Sequence, residues 1–138
     1  MAVMRDRPYV NSNFLVDLGT GDGSSVTSGF AEVIFPAFTI GSTGGEAGPH
    51  VSSRLILRRG LIGALDLYSW WSTRPRGKTP RRRTVKVKLL GEDHSTIVMT
   101  WHFHKAYPAT LSYSPLCATE GSVVMETVEF AFDSMEMS

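Results

Sequence analysis

Leu55-Ile56-Leu57-Arg58-Arg59-Gly60-Leu61-Ile62-Gly63-Ala64-Leu65-Asp66-Leu67-Tyr68-Ser69-Trp70-Trp71 contains the change of period on which the fold depends. Up to Gly60 the chain alternates. Leu55 and Leu57 share one face, and Arg54, Ile56 and Arg58 the other, as on a half-buried strand running from Val51 to Arg58. Beyond Gly60 the spacing lengthens: Ile62, Leu65, Tyr68 and Trp71, or the adjacent Trp70, recur as on an amphipathic helix. Pro75 and Gly77 stop that pattern, so one helix is expected over roughly 61–73. Its aromatic stripe is assigned to the core, where Trp and Tyr at helical spacing usually lie.

Outward from this segment the sequence reads as strands. Asn13–Leu18 is a first strand, ended by the turn residues Gly19–Gly23. In the run from Phe30 to Ile40, Val33–Phe38 is apolar on both parities, so both faces should be covered. Pro36 places that strand at an edge or a bulge. Gly41–His50 has the composition of a flexible loop. On the C-terminal side, Thr84–Leu89 alternates strictly, with Lys86 and Lys88 opposite Val85, Val87 and Leu89, and Gly91–His94 makes a hairpin turn. Met99, Trp101 and Phe103 share a face of the strand Met99–His104; Trp70, Trp101 and Phe103 are the expected aromatic core. A last strand spans Ser122 to about Phe132. Val124, Val128, Phe130 and Phe132 lie on one parity there, and Glu126 shares it, so Glu126 should be paired or sit at a rim. Six or seven strands with one helix make a mainly β (α+β) domain: a small β-barrel or two-sheet sandwich with the helix packed on it.

The 138 residues fit one domain, 1–138, with no linker or repeat. Hydrophobic content of 42% and charged content of 20% are those of a globular chain. Cys117 is the single cysteine, which excludes a disulfide within these residues and a thiolate cage. No apolar run approaches the ~18–20 residues that span a bilayer, and Met1–Pro8 lacks an apolar leader core, so neither membrane association nor export is expected.

Catalytic constellations are missing. There is no Gly-x-Ser-x-Gly elbow and no Gly-Lys-Ser/Thr phosphate loop; Gly19-Thr20-Gly21-Asp22-Gly23 precedes no helix, and the acids form no evident pair. His102 and His104, two apart on a strand, have chelating spacing but no third ligand nearby, and the plainer reading is a solvated or subunit-facing surface. No enzyme activity, cofactor or metal is expected.

The charge is balanced only in sum, at +1. Arg74, Arg76, Lys78, Arg81, Arg82 and Arg83 are bunched, whereas the chain from Ala106 onward carries Glu120, Glu126, Glu129, Asp133 and Glu136 and no Lys or Arg. Such segregation suits a subunit that docks head to tail on its own copies. Arg81, Arg82 and Arg83 are the candidate cationic contacts, with Glu126, Glu129 and Asp133 as acidic counterparts. A solvated basic loop is the plainer reading. Nucleic-acid binding is a third, opposed by the near-zero net charge and the lack of interleaved aromatics.

The order of segments resembles the tail-tube proteins of contractile-tailed bacteriophages and of phage-tail-like injection particles. The matching stretches are Arg5-Asp6-Arg7-Pro8-Tyr9, Asn13–Gly19, Ser28–Val33, Leu55–Gly63, Leu65–Trp70, Arg82–Val85, Thr100-Trp101, Ala106-Tyr107-Pro108 and Val123–Phe130, collinear over nearly the whole chain. The resemblance implies a small barrel assembled as hexameric rings that stack into a tube. The lumen would conduct DNA or protein cargo, a sheath would surround the tube, and baseplate and terminator proteins would close its ends. The particle would be assembled in the bacterial cytoplasm. One interval departs from the family, whose members carry a longer hairpin, expected to reach the adjacent ring, where this chain has Gly41–His50. Either an ordinary ring with weaker stacking or a specialised tube-end ring, such as an initiator at the baseplate, follows from it. A soluble anion- or nucleic-acid-binding barrel is the alternative outside the family.

Overall fold

The computed structural model describes residues 2–20, 29–41, 48–51 and 54–138. Alternation sets the strands: β1 (Phe14–Asp17), β2 (Glu32–Ile34), β3 (Phe38–Gly41), β4 (Gly48–Val51), β5 (Leu55–Gly60), β6 (Arg83–Leu90), β7 (Ile97–Tyr113), β8 (Met125–Ala131) and β9 (Ser134–Met137), with the helix α1 (Asp66–Ser72) between β5 and β6. Seven strands form one antiparallel sheet in the order β1-β6-β7-β8-β5-β2, with β9 also on β7; β3 and β4 pair separately.

The sheet folds on itself because β7 serves two layers. Its first half pairs with β6 and, over Trp101–His104, with β9; its second half, from Tyr107 to Tyr113, pairs with β8. The bend falls at Lys105, whose φ of 54° is left-handed, and β6 shifts register opposite it, between Arg83 and Val85. An irregularity of this kind re-aims a strand without ending it. One layer contributes Val16, Val85, Val87 and Phe103 to the core, the other Leu55, Leu57, Val128 and Phe130. Leu67 and Trp70 of α1 complete it. Trp70 lies 5.3 Å from the Phe130 ring, and its Nε1–H donates to the Arg81 carbonyl at 2.6 Å. The mainly β sandwich with one packed helix is therefore observed. Trp70 and Phe103 are buried as expected, and Trp101 is partly so.

Several boundaries differ from the sequence reading. The helix occupies 66–72, not 61–73, because Gly63 takes a left-handed φ of 85° and stops any helix from starting earlier. The expected apolar stripe is not the buried one. Leu67 and Trp70 face the core, while Ile62, Leu65 and Tyr68 face out, Leu65 at 69% exposure. The run from Phe30 to Ile40 breaks around the buried Pro36 into the edge strand β2 and the strand β3. The ends of the expected 41–50 loop instead pair as a hairpin, Gly41 opposite Gly48 and Thr39 opposite His50; residues 42–47 lie outside the described residues, as do 21–23 of the expected Gly19–Gly23 turn and 52–53 of the expected Val51–Arg58 strand. That strand is divided between the end of β4 and β5. The strand expected over 99–104 runs on to Tyr113, and β9 was not anticipated.

Among the described residues β1 pairs only with β6 and β2 only with β5, so the barrel does not close. A cleft of about 750 Å³ remains between these edges, lined by Phe14, Phe30, Val33, Phe35, Leu89 and Trp101 among others.

Candidate assembly surfaces

Two charges break the apolar alternation, and they meet. Arg59 follows Leu55 and Leu57 on the inward face of β5, and Glu126 precedes Val128 and Phe130 on that of β8; the two residues are directly opposite. Arg59 is 1% and Glu126 2% exposed. Arg59 Nε donates to Glu126 Oε1 at 2.7 Å, and its terminal nitrogens reach both oxygens of Asp66, at 2.5 and 3.3 Å. Tyr113, opposite Glu126 on β7, donates its hydroxyl to Oε2 at 2.9 Å. Burial alone would lower the Arg59 pKa, but the bonds to Asp66 and Glu126 outweigh it and leave it raised. Burial, then the bond to Glu126, raises Tyr113. The cluster ties α1 to β5, β7 and β8, with Asp66 in the favourable first turn of the helix. Glu126 is thus paired within its own chain and is withdrawn from the surface set proposed from charge. Its signal in the sequence was the broken parity; Arg59 carried the same signal, and the two point at each other.

The basic cluster is a groove of about 540 Å³ beside the β1–β6 edge, lined by Arg81, Arg82, Arg83, Lys86, Asp17 and Thr20 among others. Its cations differ in freedom. Arg83 stacks over Trp70, 4.3 Å from the ring centroid, and its pKa is lowered by burial and by the neighbouring charge of Arg81, with Asp66 opposing. Arg82 lies over Tyr107 and reaches Asp133 at 3.5 Å, so one cation–carboxylate pair expected between copies already exists within a chain. Arg81 and Lys86 take part in none of the ion pairs among the described residues. Glu129 is half-buried on the outer face of β8, between Ile56 and Thr110, and likewise lacks an ion pair there.

Apolar surface is left open nearby. On the segment expected to be covered on both faces, Val33 packs on the core, whereas Ile34 is 43% and Phe38 56% exposed. Ile62, Leu65, Tyr68, Leu116 and Val123 are further exposed apolar positions. His102 and His104 stack at 6.2 Å on the outer face of β7. Their Nε2 atoms are engaged by Ser138 Oγ (3.0 Å) and Glu136 Oε1 (2.7 Å), which pins β9. Among the described residues no three His, Cys, Asp or Glu side chains are grouped to hold a metal, and no helix is long and apolar enough to cross a membrane.

The T4-like virus tail tube protein gp19 family model matches residues 10–136. The chain belongs to that family. This tail tube protein has the fold of tube components of contractile injection systems. Its structure is similar to a chain of the PVC sheath/tube terminator in the extended state (TM-score 0.77, 17% identity, covering 96% of this chain and 98% of that one). It is also similar to a chain of the PVC sheath–tube complex in the extended state (0.71, 18%, 95% and 91%). A third similar chain comes from the anti-feeding prophage baseplate (0.68, 23%, 97% of each). No curated protein matches it in sequence. The stretches that carried the resemblance have structural work in the tail tube protein. Arg5 bonds the carbonyls of Arg7 and Pro8, covers Tyr9 and pairs with Glu92, fixing the N-terminal arm; the Leu55–Gly63 stretch supplies β5 and Arg59.

Proposed function

We propose that this tail tube protein assembles into hexameric rings that stack into the inner tube of a contractile phage tail or phage-tail-like particle. Its lumen conducts DNA or protein, its outside meets a sheath, and its ends meet baseplate and terminator proteins; it catalyses nothing. The observation that carries the reading is the β2–β3 segment, where Val33 packs on the core while Ile34 and Phe38 stay open beside strand edges that are unpaired among the described residues. Apolar sheet surface and free edges of this kind are the features that another chain pairs with and covers. Similar chains from a sheath–tube complex and from a baseplate imaged with six-fold symmetry support the same reading.

A tube-end ring is the second reading, favoured by the short β3–β4 hairpin, which spans only Phe38–Val51. Negative-stain microscopy over a concentration series separates the two: tubes support an ordinary ring, single rings a tube-end one. Particles without rotational symmetry would refute both.

A further inference from the structure

We infer that the Arg81–Lys86 groove is the receiving half of a contact between copies, and that the carboxylate it takes is Glu129 of the next subunit. The inference rests on the self-assembly proposed above. Arg81, Arg82, Arg83 and Lys86 line the groove together, and burial followed by the charge of Arg81 lowers Arg83. Asp17 is the carboxylate in the lining; it already accepts the Gly19 N–H at 2.8 Å, and Asp133 is occupied with Arg82 and Lys105. Lys86 lies directly opposite Asp17 across the β1–β6 pair, so Arg81 is the groove cation with no carboxylate facing it among the described residues. Glu129 is the complementary case, a half-buried carboxylate on the face of a sheet that makes no ion pair among the described residues; of the two cations flanking it on that face, Arg58 is engaged by Glu32 at 3.2 Å and Arg54 is exposed just before β5. The groove belongs to the β1–β6 layer and Glu129 to the β8–β5 layer, so the two cannot meet within one chain. Between copies related by rotation they can, and a contact joining two different patches is the type that closes rings.

A nucleic-acid phosphate chain fits the groove less well. Arg82 and Arg83 are committed to Asp133 and to the Trp70 ring, and Asp17 stands in the groove against a polyanion.

The test is a charge swap in the full chain, read as the ring fraction by sedimentation and negative-stain microscopy, with thermal melting as the folding control. Arg81→Glu and Glu129→Lys should each raise the concentration for half-assembly roughly tenfold or more, at an unchanged melting temperature for the groove variant Arg81→Glu. Mixing the two variants should restore alternating rings to within roughly threefold of wild type, because each swapped patch then finds its opposite. Glu129→Gln, nearly isosteric, gives the same direction if the Lys variant melts early. Wild-type rings accompanied by equally good rings from the groove variant would overturn this contact and leave the tube reading intact. A wild type that never assembles would overturn both. Salt-sensitive binding of a single-stranded oligonucleotide, lost in the groove variant while its rings persist, would reassign the groove to phosphate.

Discussion

Glu126→Ala should remove about 3–4 kcal/mol of stability. The deletion takes one of three carboxylate contacts from a guanidinium that is 1% exposed, leaving its Nε–H without an acceptor. Breaking a buried ion pair outright costs about 3–5 kcal/mol. Here the lower part of that range applies, because Asp66 still neutralises Arg59 through two bonds and Tyr113, being half exposed, can turn its hydroxyl to water. Glu126→Gln keeps an oxygen for Arg59 but not the charge and should cost about half as much. Equilibrium denaturation in urea of the unassembled subunit reads the effect as a lower midpoint at unchanged slope. Glu129→Ala, on the outer face of the same strand, is the internal control and should stay within about 0.5 kcal/mol. A loss below about 1 kcal/mol for Glu126→Ala, or equal losses at 126 and 129, would refute the reasoning that this cluster locks the helix onto the β5–β8 layer.

Three further outcomes follow from single positions. Gly19→Ala should destabilise by at least about 2 kcal/mol in the same denaturation experiment, since its φ is +73° and the new Cβ would lie 2.5 Å from the Thr84 carbonyl oxygen. At the β7 bend, Lys105→Val should cost about 1–2 kcal/mol and Lys105→Gly close to nothing, because the left-handed φ of 54° penalises branching while the ion pair to Asp133 is exposed. Asp93 accepts hydrogen bonds from the Thr96 hydroxyl and from the Thr96 and Ser95 N–H groups, which hold its carboxyl well below the usual range. A depressed carboxylate stabilises above its unfolded pKa of ~3.9 and loses that contribution as pH falls. Thermal melts of wild type and Asp93→Asn should therefore differ at pH 7, with the gap narrowing only once the pH falls below about 4 and toward the depressed folded value, and a gap that stays constant over that acid range would contradict the assignment.

Much of the fold was legible because alternation was strong. Val85 and Val87, Leu55 and Leu57, and Val128 and Phe130 marked the core faces of three strands, and these residues are the core. The long β7 was not legible beyond His104, since Lys105 needs a left-handed backbone and Pro108 lies inside the strand, both normally read as endings. The helix face was misread for a different reason. Ile62, Leu65 and Tyr68 have helical spacing, but three residues before Asp66 the chain turns at Gly63, and the stripe is exposed apolar surface. Of the charged residues singled out, Arg81 and the half-buried Glu129 make no ion pair among the described residues, Arg82 and Asp133 found each other, and Glu126 proved internal. Glu126 was conspicuous as a lone acid on an apolar parity; pairing it with Arg59 required the strand register, which places β5 beside β8 across more than sixty residues of sequence.

Cryo-electron microscopy of the purified full chain at rising concentration tests the central claim most directly. The account predicts closed rings with six-fold symmetry and a central channel, in which Ile34 and Phe38 are covered by a neighbouring copy. A species that stays at 15.2 kDa at every concentration, with those side chains still in water, would contradict it.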